Sequence, residues 1–167
     1  MNYAQIRQYD VANGPGIRCT FFVTGCSLKC KNCFNQEYQD PAFGQKWTEE
    51  NTSQIIDYLK SDLLDGLTIL GGEPFESAPD LLEVIREIRK ASDKSIWIFS
   101  GYTFDKLIED ETRREILKLC DVLVDGRFVD KLKNLKLKFR GSSNQRLIDL
   151  KKTFERGEVV LVDEDSL

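Results

Sequence analysis

Histidine is absent from the 167 residues, and that gap removes whole classes of chemistry. There is no Ser-His-Asp or Cys-His pair, no imidazole proton shuttle and no histidine-containing zinc site, so any metal must be held by thiolates or carboxylates. No stretch approaches the roughly 20 apolar residues that cross a bilayer, and a membrane partner is not expected. A basic excess is missing too. With 24 Lys and Arg against 28 Asp and Glu the net charge is −4, so general affinity for nucleic-acid phosphates is not expected. MNYAQIRQYD at the N-terminus lacks a basic segment followed by an apolar one, which makes the cytoplasm the expected location. The chain falls short of the roughly 250 residues of a complete eight-stranded α/β barrel. Its 41% hydrophobic content suffices for one domain with its own core.

What the chain does have is a strand and helix rhythm. NGPGIR at 13–18 is a turn-rich stretch, and the β-branched and aromatic run that overlaps its end predicts a first strand over 17–23. Ile55, Ile56 and Leu59 share a face of a helix over 48–60, with Glu49 and Glu50 in its first turn, where the dipole favours acids. GLTILGGEP at 66–74 reads as a short apolar strand running into a glycine pair. Ser77 is placed as N-cap of a helix whose apolar positions are Leu81, Leu82, Val84, Ile85 and Ile88. A strand at 95–100, one or two helices across 103–119 and a strand at 121–125 follow. This alternation predicts βαβ units and a mostly parallel sheet of about five or six strands. After 126 the rhythm changes: strands are expected at 135–140, 145–151 and 158–162, a turn at 141–144, and a frayed acidic tail, DEDSL. The expected organisation is a single domain over 1–167, with a core at about 13–126 and a C-terminal strand extension at about 127–162.

Three of the five cysteines, Cys26, Cys30 and Cys33, form a CxxxCxxC spacing just after the first strand and a glycine. The same spacing is one face of a helix, but the intervening Ser27, Lys29, Lys31 and Asn32 do not make an amphipathic one. A structural zinc ion would need a fourth donor, for which Cys19 is the candidate. The third reading is an iron–sulfur cluster on three thiolates, which leaves one iron open to another ligand. Cys19 and Cys120 then read as ordinary buried thiols. GGEP at 71–74 ends the second strand, where parallel α/β folds bind ligands, and Glu73 offers a carboxylate to a cationic amine. The same four residues also suit a plain turn from strand to helix. Arg127, Lys131, Lys133, Lys136, Lys138 and Arg140 face one acid, Asp130, across 127–140, and read as a solvated edge or as a docking surface.

CxxxCxxC after one strand with GGE after the next resembles the radical S-adenosylmethionine superfamily, and NGPGIR resembles its glycyl-radical-enzyme activases. IWIFSGYTFDKL at 96–107, DVLVDGRFV at 121–129 and RGSSNQR at 140–146 are similar to the branch that serves anaerobic ribonucleotide reductase. The resemblance implies an α/β fold in the form of an incomplete, open (β/α) barrel of the radical-S-adenosylmethionine type. It implies that Cys26, Cys30 and Cys33 ligate a [4Fe–4S] cluster whose open iron is chelated by S-adenosyl-L-methionine. Gly71, Gly72 and Glu73 would hold the methionine amino group, and backbone near Asn32, Cys33 and Phe34 would run along the adenine. Ser100 and Asp125, at strand ends, would be further cofactor contacts. No protein acid or base is required: one electron cleaves the sulfonium and the resulting 5′-deoxyadenosyl radical takes a hydrogen from a glycine. The implied partners are the anaerobic ribonucleoside-triphosphate reductase and a one-electron donor such as a flavodoxin. Another small radical enzyme of this superfamily, or a non-enzymatic zinc or iron–sulfur module, is the alternative.

Overall fold

In the computed structural model, which describes residues 1–167, the chain forms β1 (Asn2–Asp10), β2 (Arg18–Val23), β3 (Gln45–Lys46), α1 (Glu49–Leu59), β4 (Gly66–Gly71), α2 (Ala78–Ala91), β5 (Ser95–Phe99), α3 (Phe104–Leu107), α4 (Glu111–Leu119), β6 (Val122–Asp125), β7 (Arg146–Asp149) and α5 (Leu150–Arg156). One seven-stranded sheet runs in the order β3-β1-β2-β4-β5-β6-β7. Its centre, β2-β4-β5-β6, is parallel, with Val23 paired to Gly71 and Ile98 to Leu123. Antiparallel strands flank it: β1 and β3 on one side, β7 on the other. The end strands β3 and β7 do not pair, so the sheet is open.

The two faces of the sheet are covered differently. Alternate residues Cys19, Phe21, Leu67, Ile69, Ile96, Ile98 and Leu123 join a 25-residue buried cluster with the helices. Leu81, Leu82, Val84, Ile85 and Ile88 of α2 are all buried in it, so the 3.6-residue period did report the buried side. The opposite face has no helix. There Trp97, Val124 and Leu147 form a small cluster, sheltered by Phe139 and the C-terminal Leu167. On this face β2 and β4 also bury the polar residues Arg18, Thr20 and Thr68.

Arg18 is the one long charged side chain fully buried in β2, at 1% exposure. Its Nε donates to the Thr68 hydroxyl at 2.8 Å, and its Nη2 donates to the carbonyls of Leu67 and Ser95, each at 2.9 Å. The Thr68 hydroxyl in turn donates to the Asn13 carbonyl at 2.8 Å, so the 13–16 turn is tied to three strand starts. Burial pushes the guanidinium down to about 10, still charged at neutral pH.

Several sequence-based expectations are corrected. The sheet has seven strands rather than five or six, because two on one side are not disclosed by the pattern: β1, whose residues are mostly half-buried without a clean alternation, and the exposed two-residue β3. Residues 135–140 are not a strand. LKLKFR folds as turns, with Phe139 in the left-handed region (φ 56°) so that its ring reaches Trp97, 5.5 Å between centroids. The expected strand at 145–151 stops at Asp149, whose side chain accepts the Lys152 N–H at 3.0 Å and starts α5. Residues 158–162 contribute a single bridge, Ile148 to Leu161. The tail is anchored rather than frayed: Glu164 pairs with Arg140 at 2.7 Å, and Lys138 donates to the Glu164 carbonyl at 2.8 Å.

Candidate iron–sulfur site

The parallel strands β2, β4, β5 and β6 all end on one edge, and the cysteine loop leaves β2 there. It is an irregular loop, not a helix, which removes the reading of three cysteines on a helical face. Left-handed backbone at Lys29 (φ 50°) and Asn32 (φ 54°) brackets Cys30, and a turn links the Cys33 N–H to the Cys30 carbonyl at 3.2 Å. Glu76, just after GGEP, holds the loop from outside: its carboxylate accepts the Ser27 N–H at 3.0 Å, the Ser27 hydroxyl at 2.5 Å and the Tyr102 hydroxyl at 3.1 Å.

Cys26, Cys30 and Cys33 are partly exposed, and all three line one cavity of about 550 Å³. Gly71, Gly72, Glu73 and Ser100 line it as well, as do Phe22, Leu70 and Phe99 of the helix-free face. Strand ends therefore bring the CxxxCxxC loop and GGE to a common opening, the usual ligand position of open α/β sheets. The Asn35 N–H lies 3.4 Å from the Cys33 sulfur, an added donor to that thiol. Burial pushes the Cys26 thiol above its ordinary value.

The donor set fits a thiolate-held cluster. Cys19 and Cys120 are buried in the helix-side core at 0% and 1% exposure, and burial pushes Cys19 up to about 12. Neither lines the cavity, so no fourth thiol joins the three. Cys19, the fourth donor that a structural zinc ion would need, thus lies in the core, away from the other three. Three soft donors on one loop suit iron and sulfide, with the remaining coordination facing the cavity.

Glu73 is 1% exposed. Its carboxylate accepts the Gly101 N–H at 2.6 Å, the Phe75 N–H at 3.0 Å and the Ser100 hydroxyl at 3.0 Å. Burial pushes it up to about 7, against the pull of those donors. The glycine pair is required by the fold itself. A Cβ on Gly71 (φ 132°) would lie 2.1 Å from the Val23 carbonyl oxygen, and one on Gly72 would lie 2.6 Å from that of Gly25.

The other candidate residues divide. Cys33 and Phe34 line the cavity; Asn32 is exposed and off its wall. Asp125 is off that wall too. Buried at 1% exposure, it takes a two-pronged ion pair from Arg146 and caps α3 through the Phe104 N–H at 2.8 Å. A buried carboxylate needs such partners. It lies instead on a second cavity of about 520 Å³. Sequence reasoning missed Asn35, whose side-chain amide donates to the Gly71 carbonyl at 3.2 Å. It also missed Gln145, and it read Arg140 only as part of the basic stretch, whereas RGSSNQR carries both to the cavity wall. Of the basic stretch, Lys138 and Arg140 are taken up by the tail, and Lys133 stands 5.4 Å over the Phe34 ring.

A family model described as a 4Fe-4S single cluster domain matches residues 12–148, which takes in the whole cysteine loop and every parallel strand. Relatives named anaerobic ribonucleoside-triphosphate reductase-activating protein come from Vibrio cholerae and from Escherichia coli K12. Each is 39% identical over 150 residues, covering 87% of this chain and 96% of the relative. A phage T4 protein of the same name is 36% identical over 88% of this chain and 93% of its own. With that likeness over nearly the full length of both partners, and three thiols gathered at one cavity, the chain belongs to the family of anaerobic ribonucleoside-triphosphate reductase-activating proteins.

Proposed function

We propose that the protein activates an anaerobic ribonucleoside-triphosphate reductase by installing its glycyl radical. The observation that carries the reading is the shared cavity: three partly exposed thiols and the GGE strand end open on the helix-free face, in a chain of this family. Cys26, Cys30 and Cys33 hold a [4Fe–4S] cluster, which, with S-adenosyl-L-methionine bound, supplies one-electron cleavage of the sulfonium and hydrogen abstraction from a glycine.

The chain's own residues bind, orient and shield. A cavity of about 550 Å³ lies within the range of small-molecule sites. Glu73 and the Gly71-Gly72 backbone hold the methionine amino group, Glu73 being aimed by Ser100, Gly101 and Phe75. Cys33 and Phe34 run along the adenine, with Asn32 on the outer side of the loop, and Ser100 stands toward the ribose. Asp125 acts from behind, fixing Arg146 and the start of α3. Val11 and Leu135 are 72% and 84% exposed, and Phe34 is 60% exposed. Phe34, Leu135 and Ala12, the neighbour of Val11, border the cavity. This apolar rim receives the glycine-bearing segment of the reductase. The open sheet is then an incomplete barrel of the radical-S-adenosylmethionine type, one domain over 1–167. It works in the cytoplasm with a one-electron donor such as a flavodoxin.

Anaerobic reconstitution with iron and sulfide, reduction, and mixing with S-adenosyl-L-methionine and the reductase test the proposal. A glycyl-radical doublet in the EPR spectrum is expected. Cys30→Ala abolishes 5′-deoxyadenosine release, whereas Cys120→Ala retains it. A fully loaded protein that gives no doublet refutes the function.

A further inference from the structure

The second cavity lies beside the first and has a different character. Lys106, Arg127 and Arg146 line it against one acid, Asp125, which is committed to Arg146. Asp105, outside the wall, adds one negative charge near Arg146. Lys106 and Arg127 are exposed, and no carboxylate lies within ion-pair distance of either. A chain of net charge −4 thus presents a concave basic patch. Leu28, Gly101 and Gly126 belong to both cavities. Leu28 stands between Cys26 and Cys30 and packs on Gly101, where a Cβ would lie 2.2 Å from its Cδ1. Leu28 therefore sets the thiol-bearing loop directly against the basic patch.

We infer that this basic cavity is the docking surface for an acidic one-electron carrier protein, placed to pass its electron across Leu28. The inference rests on the function proposed above. A thiolate-held cluster must be reduced from outside: the carrier loses one electron, the cluster gains one, and no atom or proton changes hands. The function proposed above gives the reductase a different approach, the rim of the first cavity at Phe34 and Leu135. The charged surface is therefore free for a second partner. Its exposed cations steer an acidic protein at long range and fix its orientation. Only Leu28 and Tyr102 offer apolar contact in this cavity, too little to hold an organic ligand by burial.

The test is the double variant Lys106→Glu/Arg127→Glu, titrated calorimetrically with reduced flavodoxin as the acidic carrier at low and high salt. Neither side chain takes part in the cofactor site. Wild-type binding is expected to weaken with salt, and the variant to bind roughly 10-fold or more weakly at low salt. Lys106→Gln/Arg127→Gln falls between the two, and melting temperatures confirm that all fold. Iron and sulfide content, dithionite reduction and reductase binding remain at wild-type levels. Absent or salt-independent wild-type binding, undiminished binding by the charge-reversed variant, or an equal loss of reductase binding overturns the assignment. Failure of the wild type to take up iron and sulfide sinks the proposed function instead, while the binding titration still judges the surface.

Discussion

Ser27 gives both its backbone N–H and its hydroxyl to the carboxylate of Glu76, at 3.0 and 2.5 Å. Two donors from the residue after Cys26 thus meet one acceptor from the turn after GGEP, and the cysteine loop is moored to the β4 strand end. The Tyr102 hydroxyl joins the same carboxylate from the turn after β5.

Glu76→Ala is expected to leave the fold in place and loosen the loop, since hydrogen bonds to a charged acceptor contribute on the order of 1.5–3 kcal/mol. The reconstituted variant should lose iron to a chelator several-fold faster than wild type. Glu76→Gln, which keeps an acceptor oxygen, should recover part of the difference. Equal rates for all three proteins would leave Glu76 without this role.

Glu73 makes a pH prediction whose sign follows from burial. Burial holds its carboxyl up at about 7 in the folded chain against an ordinary value of 4.5, so the native state keeps the proton that the unfolded state has released. That contribution to stability is fully present below about 4.5 and declines as the pH rises to about 7. Chemical unfolding of wild type and Glu73→Gln across this window should show wild type losing ground to the variant as the pH rises. Parallel pH profiles would contradict it.

Arg140 and Glu164 should control the outer wall of the cavity. Arg140 lines the cavity, and its guanidinium is tied to the tail by Glu164 at 2.7 Å. Glu164→Gln is expected to speed hydrogen exchange of amides in 134–141 several-fold with little change in global stability, as suits a partly exposed pair. Unchanged exchange there would mean that Trp97 and Phe139 hold the wall alone.

The parallel core and the thiol loop were legible because each rests on local chemistry. Five apolar positions on α2 have one burial solution, and three cysteines in eight residues beside a strand end have few uses. The failures came where tertiary contacts decide. LKLKFR alternates like a strand, yet its backbone turns to put Phe139 on Trp97 and to bring Arg140 to Glu164, partners 42 and 24 positions away. Asp125 was correctly placed at a strand end but is turned to Arg146, a long-range pairing that spacing does not disclose. GGE was read as a place for a ligand; the close backbone of Val23 and Gly25, which makes glycine necessary there, emerges only in three dimensions.

Arg18 carries a consequence for the inheritance of this turn. Its planar fork serves Thr68, Leu67 and Ser95 at once, a geometry lysine does not reproduce, and Thr68 in turn grips Asn13 on the cavity wall. Positions 18 and 68 therefore behave as one block, with the backbone at 13 as its third point. A chimaera that borrows the glycine-proline turn without its guanidinium and hydroxyl would import the shape without the anchor, and the doorway it frames would be lost.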